Sequence, residues 1–338
     1  MTALTVAARP DEHARLRPLP WRRMAWVTWR QHRAALIGVA ALLGAIAMYL
    51  WLDGLQIHHA YAVGCDQAGS AACSLNFTGR YGPTGILVSI FLQAVPALIG
   101  AFAGAPVLAR ELETGTYRFA WTQAIGRWRW TLGKLVPLAV VVAAAAEAFS
   151  ALVSWYNQPF FAAGYAIPLS TRVFDLGEVA FAAWTLAAFT IGALAGMLIR
   201  RVVPAIAATL AVYAGLAFAT AVYLRQHYMT PLLTSKPNLP GSAWAINQWY
   251  IKGGKFAFGS RGAGIVRAMQ RLCNGGRIRG SVGAPPAQCL AQHGYAQWSS
   301  YQPGSRFWPF QWIEGGWLLV LSALLIAVTV WLVRRRAA

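Results

Sequence analysis

The sequence has little charge and very little acid. Asp, Glu, Lys and Arg make up 12% of its 338 residues, with 10 acidic side chains against 29 basic ones. A soluble domain carries about 25% charged residues, so a water-soluble globule is excluded. A phosphate-binding loop is missing as well: Gly253-Gly254-Lys255-Phe256 and Gly133-Lys134-Leu135 lack both the spacing and the hydroxyl that cradle phosphates and Mg²⁺. The chain is therefore expected to bind no cofactor and to hydrolyse no ATP by itself. No Ser/His/Asp or HExxH arrangement occurs, and the adjacent His58 and His59 lack the i, i+4 spacing of a helical metal pair. Nothing positive supports an enzyme or a metal site. Residues 1–20 have no apolar core followed by a small-residue cleavage site, which argues for a loose tail rather than a cleaved signal peptide.

What the chain does have is apolar sequence in long runs. Residues 34–52, 85–108, 135–155, 177–199, 202–224 and 316–333 each approach the roughly 20 residues needed to cross a hydrocarbon core. The expected fold is an all-α polytopic membrane protein with six transmembrane helices. Seventeen cations lie on one side of these runs, from Arg9 in the tail through Arg110, Arg127 and Arg200 to Arg334, Arg335 and Arg336; the two short loops opposite hold only Arg80 and Arg172. That bias puts both termini in the cytoplasm of a multi-pass cell-membrane protein. It also explains the net charge of +19 without a nucleic-acid partner. Before the first run, Trp21, Met24, Thr28 and Trp29 oppose Arg22, Arg23, Arg30 and Arg33 on a helical plot, the pattern of an amphipathic interfacial helix lying on lipid before the chain turns in.

Cysteine is scarce and confined to the other side. Cys65 and Cys73 fall in the first outer loop, Cys273 and Cys289 in the last, and none in a run or an inner loop. Outside is where disulfides survive. Four cysteines allow three pairings; the local pairs Cys65 with Cys73 and Cys273 with Cys289 are the expected ones. His58, His59 and His293 show no spacing relative to them that would suit zinc.

One stretch stands apart from the apolar background. Between the second and third runs, LARELETGTYRFAWTQAIGRWRWTLGK holds Glu111 and Glu113, the breaker Gly115, a capping Thr116, the aromatics Tyr117, Phe119 and Trp121, and then Arg127, Arg129 and Lys134. Gly115 is expected to end one helix and Thr116 to start a short one, with the glutamates favoured by its dipole or paired with Arg127 and Arg129. Exposed aromatics ringed by Arg compose a protein-docking surface, or else a set of lipid anchors. The string resembles the loop between the second and third membrane helices of actinobacterial ATP-binding-cassette (ABC) permeases of the type-two exporter class. MAWVTWRQHRAAL before the first run and YQPGSRFWPFQWIE before the last resemble the same group, so the likeness spans the chain. It implies a six-helix permease subunit that pairs with a second permease subunit, as homodimer or heterodimer. It also implies an ABC ATPase subunit that binds ATP and Mg²⁺ and docks on this loop as a coupling helix.

The domain reading follows. Residues 1–33 form the tail and interfacial helix; 34–224 form a five-helix core with outer loop 53–84 and coupling loop 109–134; 225–315 form a small disulfide-stapled extracytoplasmic domain; 316–338 form the last helix and basic end. Ten cations against Glu314 alone mark 225–315 as a basic surface that anionic lipid could attract. GxxxG occurs at Gly100/Gly104 and at Gly192/Gly196, permitting close helix contact within or between subunits. Glu147 is the one carboxylate well inside a run, which makes it a polar candidate facing a cavity or a partner helix. The competing reading, an ion-coupled carrier or a membrane-bound enzyme using His58, His59 and Asp66, lacks any chain of intramembrane acids. The cargo suited to apolar walls is hydrophobic or amphipathic.

Overall fold

The computed structural model describes residues 21–66, 71–115, 127–236, 239, 241–273 and 286–335, with backbone alone for 21–32, 34–36, 66, 71–74, 127 and 286–288. Six helical spans are long and apolar enough to cross a membrane: Ile37–Cys65, Leu75–Thr114, Trp128–Ala162, Glu178–Ile199, Val202–His227 and Gly304–Arg335. Each overlaps an expected run and most extend past it. Residues 53–84, read from sequence as an outer loop, are largely helical, because Trp21–Tyr61 continues through a π-helical turn, Ala62–Asp66, and helix resumes at Ala71–Leu92. Polar side chains such as Asp53 and His58 lower local hydropathy without interrupting the backbone ladder. The amphipathic stretch 21–33 likewise joins the first span without a break, in a helix of 41 residues. At 1.5 Å per residue it is about 60 Å long, twice a hydrocarbon core, so one end must project beyond it.

The fourth span is the hub. Of its apolar window 67% is buried, against 11% for the first span and 17% for the fifth. Trp184, Phe181, Phe189 and Ala187 are all at most 2% exposed. Small residues let the second span reach it: a Cβ on Gly100 would stand 2.5 Å from the Ala188 carbonyl oxygen, and one on Gly192 would stand 2.7 Å from the Ala105 nitrogen. Both GxxxG pairs are therefore consumed inside this chain, each supplying the groove for the other. The second span softens here into a π-helical turn, Gly100–Gly104, between Val95–Ile99 and Ala105–Thr114.

Between the fifth and sixth spans the chain leaves the bundle and forms a small α+β unit that composition did not foretell. Strands β1 (Leu232–Thr234), β2 (Trp244–Lys252), β3 (Lys255–Gly259) and β4 (Tyr295–Gln302) pair antiparallel in the order β1-β4-β2-β3. Gly253 and Gly254, at φ 55° and 77°, make the two-residue turn between β2 and β3, the type I′ geometry that matches strand twist. Two short helices, Ala263–Leu272 and Pro286–Gln292, close over one face. Their core is Tyr250, Leu290 and the expected disulfide Cys273–Cys289, whose Cα atoms are 6.1 Å apart. Cys65 is also disulfide-bonded, while the Cys73 side chain lies outside the described residues.

Candidate functional site

Where the second span meets the third, the base of the central loop is a tied junction. The helix Ala105–Thr114 ends at Gly115, whose φ of 71° places it in the left-handed region, as the breaker required. Thr114 Oγ1 returns to the Arg110 carbonyl at 2.9 Å. Glu111, almost fully buried, takes an ion pair from Lys134, itself 2% exposed, on the first turns of the third span. The Lys134 ammonium also lies 5.1 Å from the Trp130 ring centroid. Glu113 Oε2 accepts the Val202 backbone N–H at 3.0 Å, satisfying one of the donors that the fifth span leaves open at its start. Arg334 near the end of the sixth span rests over the Trp128 ring at 5.0 Å. Four spans thus converge on one loop base.

The described partners of the two glutamates are Lys134 and the Val202 backbone N–H. Arg129 sits instead over Trp128 at 5.4 Å; the expected short helix and the Arg127 side chain lie outside the described residues. The Glu111 carboxylate meets position 134 and Glu113 meets the neighbouring helix start. Thr116, Tyr117, Phe119 and Trp121 lie outside the described residues.

Glu147 is placed on the outer surface of the single chain, midway along the third span and next to exposed Val140, Val141, Ala144 and Ala148. It is also not alone as an intramembrane carboxylate. Asp53 accepts from Tyr156 Oη at 2.8 Å, and Glu314 is fully buried.

Glu314 anchors a cluster that sequence reasoning missed. Arg225, also fully buried, grips it with two nitrogens, Nε to Oε2 at 3.0 Å and Nη2 to Oε1 at 2.8 Å, and pairs with Asp175 besides. Trp184 Nε1 and Tyr228 Oη donate to the same carboxylate at 2.8 and 3.1 Å. The Phe174 ring lies 4.5 Å from the guanidinium. Burial pushes the Asp175 carboxyl up to about 8, with the Glu314 carboxylate adding to the rise and Arg225 opposing it. The cluster ties the fourth, fifth and sixth spans at the sheet-bearing end. Asp175, Arg225 and Glu314 are separated by 50 and 89 positions, which is why no local pattern reveals them. Still, one acid among ten cations, directly before a span, was a usable signal. No group of three or more His, Cys, Asp or Glu suited to a metal ion occurs among the described residues.

Six apolar spans, the fourth buried among the others, tied by charge at both ends and carrying a small domain at one, define a multi-pass membrane protein. The chain belongs to the ABC-2 membrane transporter related family, whose model matches residues 39–225, more than half its length. It is an ABC transporter permease component, and the family implies an ABC ATPase partner in general terms. No curated protein and no solved structure matches it.

Proposed function

We propose that this chain is one permease half of an ATP-driven exporter, moving a hydrophobic or amphipathic cargo with a second permease subunit and separate ATPase subunits. The observation that carries the reading is the tied base of the central loop. A docking element transmits force only if its base is fixed to the elements that must move, and Glu111–Lys134 and Glu113–Val202 fix the base of this loop to three spans. The aromatic set Tyr117, Phe119 and Trp121 supplies the grip on the ATPase, in keeping with the Trp- and Tyr-rich make-up of interface hot spots. ATP and Mg²⁺ belong to the partner, and this chain has no catalytic role of its own. The loop and both termini face the cytoplasm, and the sheet-bearing unit lies outside, in accord with seventeen cations against two.

The orientation and the partnership are tested together. A cysteine at Ser260 should react with an impermeant thiol reagent on intact cells and one at Gln123 should not, while the chain purifies with a P-loop ATPase subunit. Labelling at Gln123 alone would overturn the proposal, and so would purification free of any ATPase.

A further inference from the structure

Open spaces lie between the first and second spans and among the third span, the connection to the fourth and the sixth, and one of these has the make-up of a binding site. We infer that the cavity at the sheet-bearing end of the bundle binds an amphipathic organic cation, with the Glu178 carboxylate as its counter-charge. The cavity has a volume of about 400 Å³ and lies between the end of the third span, the connection to the fourth and the start of the sixth. That is within the size range of small-molecule sites, which are largely apolar with a few placed polar groups. Its walls include Phe161, Phe307 and Trp308, and its polar groups include Asn157 and Ser242. Glu178 is the one ionisable side chain among the lining residues.

Two features of Glu178 go beyond what a helix N-terminus needs. Its carboxylate has no ion-pair or hydrogen-bond partner among the described residues, although it is half-buried. Its backbone is held at φ 49°, a left-handed conformation that a Glu adopts only under constraint. A glutamate in the first turn would gain the same dipole interaction at ordinary φ, so the dipole does not account for the strain. The constraint is visible: buried Ser150 sits beneath the turn, its Oγ 3.3 Å from the Glu178 carbonyl oxygen and 3.4 Å from that of Leu176. Asn157, 4% exposed and donating from Nδ2 to the Val153 carbonyl at 2.9 Å, stiffens the opposite wall. Strain of this kind clusters where a side chain must be presented to a ligand. An unpaired carboxylate among aromatic faces selects a positive charge on an apolar body.

The test uses the purified full chain in nanodiscs of neutral lipid, with tetraphenylphosphonium as probe and its near-isosteric anion tetraphenylborate as control. The site requires only this chain, so the outcome is independent of ATPase docking. The wild type should bind the cation saturably and the anion not at all. Glu178→Asn removes the charge and suits the left-handed backbone, so it should unfold at the same or a higher temperature. Its affinity for the cation should fall about tenfold, the scale of one lost charge contact near a surface. Ser154→Trp, which fills the cavity and keeps the carboxylate, should abolish binding and decides the matter if the first variant does not fold. Glu147→Gln should bind as the wild type does. Equal binding of cation and anion, unchanged affinity in Glu178→Asn, loss of binding in Glu147→Gln, or no saturable binding at all would each overturn the inference.

Discussion

Removing Lys134 should be among the most damaging single changes in the membrane body, and its magnitude can be worked out from the junction it closes. In Lys134→Met the Glu111 carboxylate loses its partner while staying buried, with Oε2 already lacking a hydrogen bond among the described residues. Breaking a buried pair by deleting one member costs about 3–5 kcal/mol. A loss of about 3–4 kcal/mol is therefore expected. Glu111→Gln paired with Lys134→Met leaves no buried charge and should recover most of that, since an apolar replacement of a buried ion pair is often neutral. The assay is thermal unfolding of the detergent-purified chain for the wild type, both single variants and the double variant. If the two single losses simply add in the double variant, with coupling below about 0.5 kcal/mol, the pair is not the brace described.

Two further outcomes follow from named contacts. Asp175 is raised to about 8 in the folded chain and titrates near 4 when unfolded, so the folded state holds the extra proton between those values and stability falls as pH rises through the window; thermal unfolding should therefore weaken from pH 6 to pH 9, and Asp175→Asn should flatten that dependence. Gly192→Ala forces a Cβ against backbone of Gly104 and Ala105 rather than against a flexible side chain, which should cost about 1–3 kcal/mol, whereas Gly215→Ala, with nothing within 4 Å, should leave the unfolding temperature at or above that of the wild type.

Much of the bundle was legible because lipid imposes a simple rule on sequence. Runs of Leu, Ala and Val reveal the spans, the break at Gly115 reveals a helix end, and the spacing of Cys273 and Cys289 admits their pairing. Span ends were not legible where polar residues ride on an unbroken helix, as at Asp53 and Glu314. The signal for β2 and β3 was present and unread: a Gly-Gly pair flanked by Tyr250 and Phe256, aromatics of the kind that favour strands, is a hairpin mark. The site was harder. Glu111 and Lys134 lie 23 positions apart and Arg225 and Glu314 lie 89 apart, and only the packing of whole helices brings such pairs together. GxxxG on the second and fourth spans offered the choice of contact within or between subunits, and the choice was settled by the two motifs fitting each other.

The claim that the central loop is the ATPase docking element is tested most directly by the stoichiometry of co-purification. Trp121→Ala should leave the permease inserted and dimeric but remove an anchor worth about 2 kcal/mol or more, so the ATPase subunit should be lost during affinity purification. Glu113→Gln keeps the aromatic grip and weakens only the tie to Val202, so the subunit should be retained while transport declines. A Trp121→Ala permease that still purifies with the ATPase at the wild-type ratio and stimulates its turnover normally would contradict the account.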